Sequence, residues 1–397
     1  VDPVQKPKKK SIFRFLRWRE FVFIAAGIAL GTWVDHYYIS LRPNEYQKWQ
    51  ARPQLSSPER ARGYSRAGQS GLPPCLFIVP KGVLDKDFVS RSVGDCLQLL
   101  PDGTNLDLFE IPLWGPFVHI KTDLYVPDVM PLAFTRCSVP LDDWAKRNRI
   151  YVPHVYDLFM FGDRRPYTYL FWMLPDRQEI HFKRVSPGTG YEDAVFESTS
   201  EDSIFSRARV AWNGWGWDLN LQSGLTVLSP EAYWAKRPQQ GSVVGIFDQE
   251  GREVRLERDS DGDLTKIISP GGKSIDLRYR RGHLAEAKDS VGSSSRYTYD
   301  DEGRLVKADY SSGSAVRYLY DSANRVVELD GSPAGTVLKI RYGSAGVIEQ
   351  AVVDGDTYDL RRSAGDVEIA GPKGVVTRVH ASERDGKLMY TVEGAVN

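Results

Sequence analysis

The sequence predicts a mainly β protein: antiparallel β-hairpin repeats stacked into a curved sheet, with one N-terminal transmembrane helix ahead of them. Three observations carry that expectation. An aromatic–Asp–turn motif recurs in the last third of the chain at a spacing of about 21 residues, the mark of one small unit stacked on its copies. A nearly unbroken apolar run follows a basic segment at the start. Glycine (35) and proline (23) are frequent among the 397 residues, which favours many turns and short strands.

Residues 1–20 carry Lys6, Lys8, Lys9, Lys10, Arg14, Arg17 and Arg19 against Asp2 and Glu20, a net charge of +5. The whole chain is formally neutral, so the remaining residues are net negative, and the body offers no electrostatic case for a nucleic-acid partner. Residues 21–39 are read as a transmembrane signal anchor. Phe21, Ile24 and Leu30 lie in the apolar run, and Trp18, Trp33 and Tyr37 supply aromatic belts at its ends. The basic flank orients such a span with residues 1–20 in the cytoplasm and the body outside, a single-pass protein of the inner membrane facing the periplasm. A cleaved signal peptide with Ala29-Leu30-Gly31 as its small-residue site shares this layout, and a buried core helix is a third reading that leaves the cations unexplained.

Residues 40–74 are polar, with proline, arginine, serine and glycine, and are read as an extended tether. Strand-like runs broken by proline and glycine fill residues 75–243, an opening β-rich domain. Cysteine is sparse: Cys75 and Cys96 would pair in an exported domain, leaving Cys137, or all three stay as buried thiols.

Residues 244–397 hold the repeats. A pivot falls at Gly262, Gly282, Gly303, Asn324 and Gly346, with a degenerate copy at Gly365. Glycine and asparagine suit a turn residue of positive φ. A closing aromatic keeps step at Tyr279, Tyr299, Tyr320 and Tyr342. Between pivots, the run from Gly303 to Tyr310 reads as a strand, Ser311-Ser312-Gly313-Ser314 as a turn, and Ala315 to Tyr320 as the returning strand. Each unit is thus one hairpin, and hairpins of this size need neighbours paired edge to edge.

The segments Tyr297-Thr298-Tyr299-Asp300 and Tyr318-Leu319-Tyr320-Asp321, each followed by its pivot, resemble the YD-repeat family of Rhs proteins, Tc-toxin shells and teneurins. Upstream, Thr122-Asp123-Leu124 followed by Leu132 and Thr135-Arg136 resembles the opening of Rhs-type shells. His154, Tyr156-Asp157, Leu174-Pro175-Asp176, Trp212-Asn213-Gly214, Gly216-Trp217-Asp218 and Ala235-Lys236-Arg237 fit the same lead-in. The resemblance implies a YD-type sheet and, by association, toxin systems. Departures limit the second implication. Asp176-Arg177 lacks the glycine that often follows Pro-Asp, and no Asp-Pro-x-Gly self-cleavage core or variable toxin domain is found before Asn397. A few repeats are expected to form a short curved sheet and not a closed shell.

No catalytic, cofactor-binding or metal site is expected. The six histidines do not cluster at ligand spacing. His154 and Asp157, taken as a strand, would face opposite sides. The run Asp259-Ser260-Asp261-Gly262-Asp263 resembles the start of a calcium loop, but Pro270 stands where its closing glutamate belongs, so the run is read as a repeat turn. Trp212, Trp215 and Trp217 are a sugar platform or, more simply, core. The expected function is a membrane-anchored, non-catalytic structural or interaction subunit. Its expected partners are the lipid bilayer, other subunits of an envelope or membrane complex, and carbohydrate in a lesser place. The alternative is a truncated or orphan carrier of an Rhs-type polymorphic toxin system.

Overall fold

The computed structural model describes residues 117–394 apart from short breaks, together with the strands Cys75–Phe77 and Asp107–Pro112. The apolar run with Trp18, Phe21, Ile24, Leu30, Trp33 and Tyr37 lies outside the described residues, as do the tether, Cys96 and Gly365. No helix among the described residues is long and apolar enough to cross a membrane.

Two antiparallel sheets organise the chain. The smaller has four strands in sequence order: Cys75–Phe77, Asp107–Pro112, Val118–Val126 and Leu132–Ser138. A short helix, Asp143–Asn148, follows, capped by the Asp142 carboxylate, which accepts the Ala145 amide at 2.8 Å. In the larger sheet, each strand from Phe159–Gly162 to Lys387–Gly394 pairs antiparallel with the next in sequence. Pairing runs without a break from Thr226–Pro230 through Gly245–Phe247 to Glu253–Arg258, so the opening segment and the repeats share this sheet.

Alternation along each repeat strand produces the two faces. In Ala315–Tyr320, Val316 and Tyr318 are buried while Arg317 and Leu319 are exposed. Outward residues form cross-strand ion pairs such as Arg317–Asp330, Arg341–Glu349 and Arg278–Glu286–Arg296. At such exposure each contributes little, about 0–1 kcal/mol. Inward residues, among them Ile267, Ile275, Leu284, Ala308 and Leu329, join Leu124, Val126, Leu132 and Phe134 in one core. The hairpin of the small sheet is therefore packed against the inner face of the repeats.

Register slips once per unit, and always at the residue that closes the strand: Arg258, Tyr279, Tyr299, Tyr320 and Tyr342. A bulge of this kind bends and twists its strand, and its recurrence curves the sheet.

Candidate functional site

All five pivots have positive φ: 87° at Gly262, 79° at Gly282, 82° at Gly303, 61° at Asn324 and 76° at Gly346. The turns around them are built from side chains. The Asp300 carboxylate accepts the Arg304 amide at 2.9 Å and its Nε at 2.7 Å. Asp321 holds the Ala323 and Arg325 amides and the Arg325 guanidinium in the same way. Each arginine then lies over the closing tyrosine of the next unit, Arg304 over Tyr320 at 5.0 Å and Arg325 over Tyr342 at 4.4 Å. Three of the closing tyrosines donate back to a backbone carbonyl of the preceding unit. Tyr299 reaches Leu284 at 2.8 Å, Tyr320 reaches Leu305 at 2.8 Å and Tyr342 reaches Val326 at 3.0 Å.

Arginine takes over this task at both ends of the array. Arg258 Nε donates to the Val243 carbonyl at 2.9 Å, and Arg362 Nη1 donates to that of Ile348 at 2.5 Å. The substitution is chemically coherent, because a guanidinium supplies more donors than a phenol.

The centre of the inner face is an ion pair. Asp123 is the extra residue of a bulge between Thr122 and Leu124, which turns its carboxylate toward Arg136 on the neighbouring strand. Arg136 Nε donates to Asp123 Oδ2 at 2.7 Å, and neither side chain has any exposed surface. The repeats complete the site. Tyr297 and Tyr310 each donate a hydroxyl to the carboxylate at 2.7 Å. Arg136 Nη2 donates to the Tyr310 oxygen at 3.1 Å, and Nη1 to Ser138 and Tyr318. His119 extends the network, with Nδ1 2.7 Å from the Tyr318 hydroxyl and Nε2 3.0 Å from Ser332 Oγ.

Burial alone would pull the Arg136 guanidinium down; Asp123 and the three tyrosines outweigh it and hold its pKa well above the ordinary value. Burial, reinforced by the Asp123 charge, pushes Tyr297 well above the usual phenol range. Tyr310 rises too, through burial first, with Arg136 opposing. The phenols are therefore neutral donors at every physiological pH. Both ions of the pair are occupied by protein groups, an arrangement that joins two sheets.

A second cluster sits beside it. His154 and Asp157 lie in a turn, with the Asp157 amide donating to the His154 carbonyl at 2.8 Å, and not on a strand. The turn corrects the expectation that they face apart: His154 Nε2 is 3.5 Å from Asp157 Oδ2. Burial, then the Arg258 charge, pushes His154 down to about 3. Burial pushes Asp157 up to about 6 against the pull of Arg258, which lies 3.7 Å away. Tyr279 lines a cavity of about 30 Å³ with these two residues, roomy enough for water.

Asp259 accepts the Asp261 and Asp263 amides and closes its own turn. The three tryptophans separate. Trp217 is buried with its indole donating to Glu231 at 2.8 Å, Trp212 packs edge-on against it, and Trp215 is 58% exposed at the hairpin tip. The expectation of a core role fails for Trp215, because it belongs to the turn ahead of Gly216–Asn220. Cys137 is buried.

Sequence reasoning followed the closing tyrosines and gave no role to Tyr297, Tyr310 or Tyr318, nor a contact to Asp123 and Arg136. For Tyr297 and Tyr318 the available signal is their place as the first aromatic of a pair, two residues ahead of the closing one and so on the same face; Tyr310, at the end of Leu305–Tyr310, carries no such mark.

Fold and site together define a class: a hairpin-repeat protein assembled around a buried ion pair on a lead-in hairpin. Residues 278–315 match the RHS repeat family model, so the chain carries an Rhs-type repeat. Among solved structures, the TcdB2–TccC3 complex without its hypervariable C-terminal region is similar at 11% identity and a TM-score of 0.32, over 72% of this chain and 16% of that one. The TcdB2–TccC3–Cdc42 structure matches at 11% identity and a TM-score of 0.32, over 72% of this chain and 20% of that one. A Photorhabdus luminescens Tc holotoxin pore matches at 11% identity and a TM-score of 0.31, over 72% and 15%. The chain thus spans at most a fifth of the length of these structures. A comparison with curated proteins finds no match.

Proposed function

We propose that this Rhs-repeat protein is a membrane-anchored, non-catalytic subunit that presents a rigid β surface to other proteins of an envelope complex. The observation that carries the reading is the Asp123–Arg136 network: the most deeply buried ionisable groups bind one another and the repeats, and so hold a shape. The outer face, with its rows of paired charges, is the surface on offer. The anchor rests on the basic flank and the apolar run of residues 21–39, which orient the body toward the periplasm. Carbohydrate is a lesser partner, through Trp215. Purification from native membranes in mild detergent tests the reading. Co-migration with other membrane proteins, and resistance to alkaline extraction, are expected. A protein released by alkali that runs alone would overturn it.

The RHS repeat at 278–315 favours a second reading, a carrier in an Rhs-type toxin system. A neighbouring gene for a toxin tip or an immunity protein is the observation that would decide for it.

A further inference from the structure

We propose that the strand Val118–Val126, with the two residues that follow it, is a ruler that sets how many repeat units lie between the turns at Ser269 and Ser332. The contacts of this segment fall in strict reverse order along the repeats. At its far end, Asp128 accepts from Ser269 Oγ, and the Pro127 carbonyl from Lys273 Nζ. In the middle, the Asp123 carbonyl accepts from Ser295 Oγ at 3.3 Å, and its carboxylate accepts from Tyr297 and Tyr310. At the near end, His119 meets Tyr318 and Ser332.

Ser269, Tyr310 and Ser332 sit at or beside the inner turns of their units. Inner turns open at Ser269, Asp289, Tyr310 and Gly331, each closed by a backbone hydrogen bond across the loop. From Ser269 to Ser332 is therefore three repeat steps of two strands each. At about 4.8 Å per strand this is about 29 Å. His119 to Asp128 is nine residues of extended chain, which at about 3.3 Å each reaches about 30 Å. The two lengths agree, so the segment spans three steps and has no slack for a fourth. The inference is independent of any membrane anchor or partner.

The test uses the full chain with a copy of residues 283–303 inserted at either of two pivots. Insertion after Gly303 falls inside the ruled interval; insertion after Gly346 falls beyond it. Urea unfolding and amide exchange in Leu305–Tyr310 and Ala315–Tyr320 are measured. The inner insertion is expected to lower the midpoint and speed exchange in those strands about tenfold or more, because one end of the ruler loses its partners. The outer insertion is expected to leave both readings unchanged. An inner insertion that fails to fold while the outer one folds gives the same support. Equal outcomes at the two sites, whether both are tolerated or both fail, overturn the ruler.

Discussion

Asp123 and Arg136 show how little a single side chain is free to change once it is sealed in. Arg136→Met leaves the Asp123 carboxylate buried and uncompensated, a loss of about 3–5 kcal/mol. The double variant Asp123→Leu/Arg136→Met is expected to recover part of that loss, because replacing both ions by apolar groups costs less than orphaning one. Urea midpoints for the two single variants and the double one check this. His154 and Asp157 bear on pH with opposite signs. His154 is held below its ordinary 6.5, near 3, so its contribution is present above 6.5 and is lost as pH falls through the folded value. Asp157 is held above its ordinary 3.8, near 6, so its contribution is full below 3.8 and is lost as pH rises through 6. Between about 3.8 and 6 the two slopes oppose each other. Asp157→Asn removes one of them, so the variant should lose stability more steeply than the parent as pH falls from 6 to 4, measured by thermal midpoints. The residues of this site were visible in the sequence as motif letters only. Their partners were not, because Arg136 and Tyr318 stand 182 positions apart and no local pattern connects them.

At the scale of the element, the hairpin unit was the most legible part of the chain. Pivots and closing aromatics recur because each turn needs positive φ and each tyrosine needs the carbonyl one unit back, two local demands that a single sequence displays. Asn324→Gly is expected to be nearly neutral, since both residues tolerate the left-handed region. Gly303→Val should cost more than about 2 kcal/mol: φ is 82°, and a Cβ would stand 2.9 Å from His283 Nε2 and 3.0 Å from the Tyr151 ring. Tyr320→Phe keeps the ring under Arg304 and removes only the bond to Leu305, a loss of about 1–2 kcal/mol. Chemical denaturation of the three variants separates turn geometry from the ladder. Arg258 and Arg362 were not legible as the outer rungs, because a guanidinium in the place of a phenol breaks the letter pattern while keeping the bond.

For the whole molecule, the all-antiparallel sheet follows from sequential hairpins, each pairing with the next. The embrace of the lead-in hairpin does not, since core formation between distant segments leaves no periodic trace. Because the outward ion pairs are exposed, raising sodium chloride from 0.1 to 1 M, roughly a threefold drop in screening length, should move the unfolding midpoint little, whereas the sealed Asp123–Arg136 pair is unaffected by screening. The reversed order of contacts along Val118–Val126 also has a consequence in time. A ribosome delivers Asp123 and Arg136 first, then the unit that holds Tyr297, and Ser332 last. At about 5–20 residues per second, the charged hairpin waits on the order of 10–40 s for Tyr318 to emerge. Through that interval two future core ions remain in water, and they are shut in only when the units that carry Tyr297, Tyr310 and Tyr318 have been made.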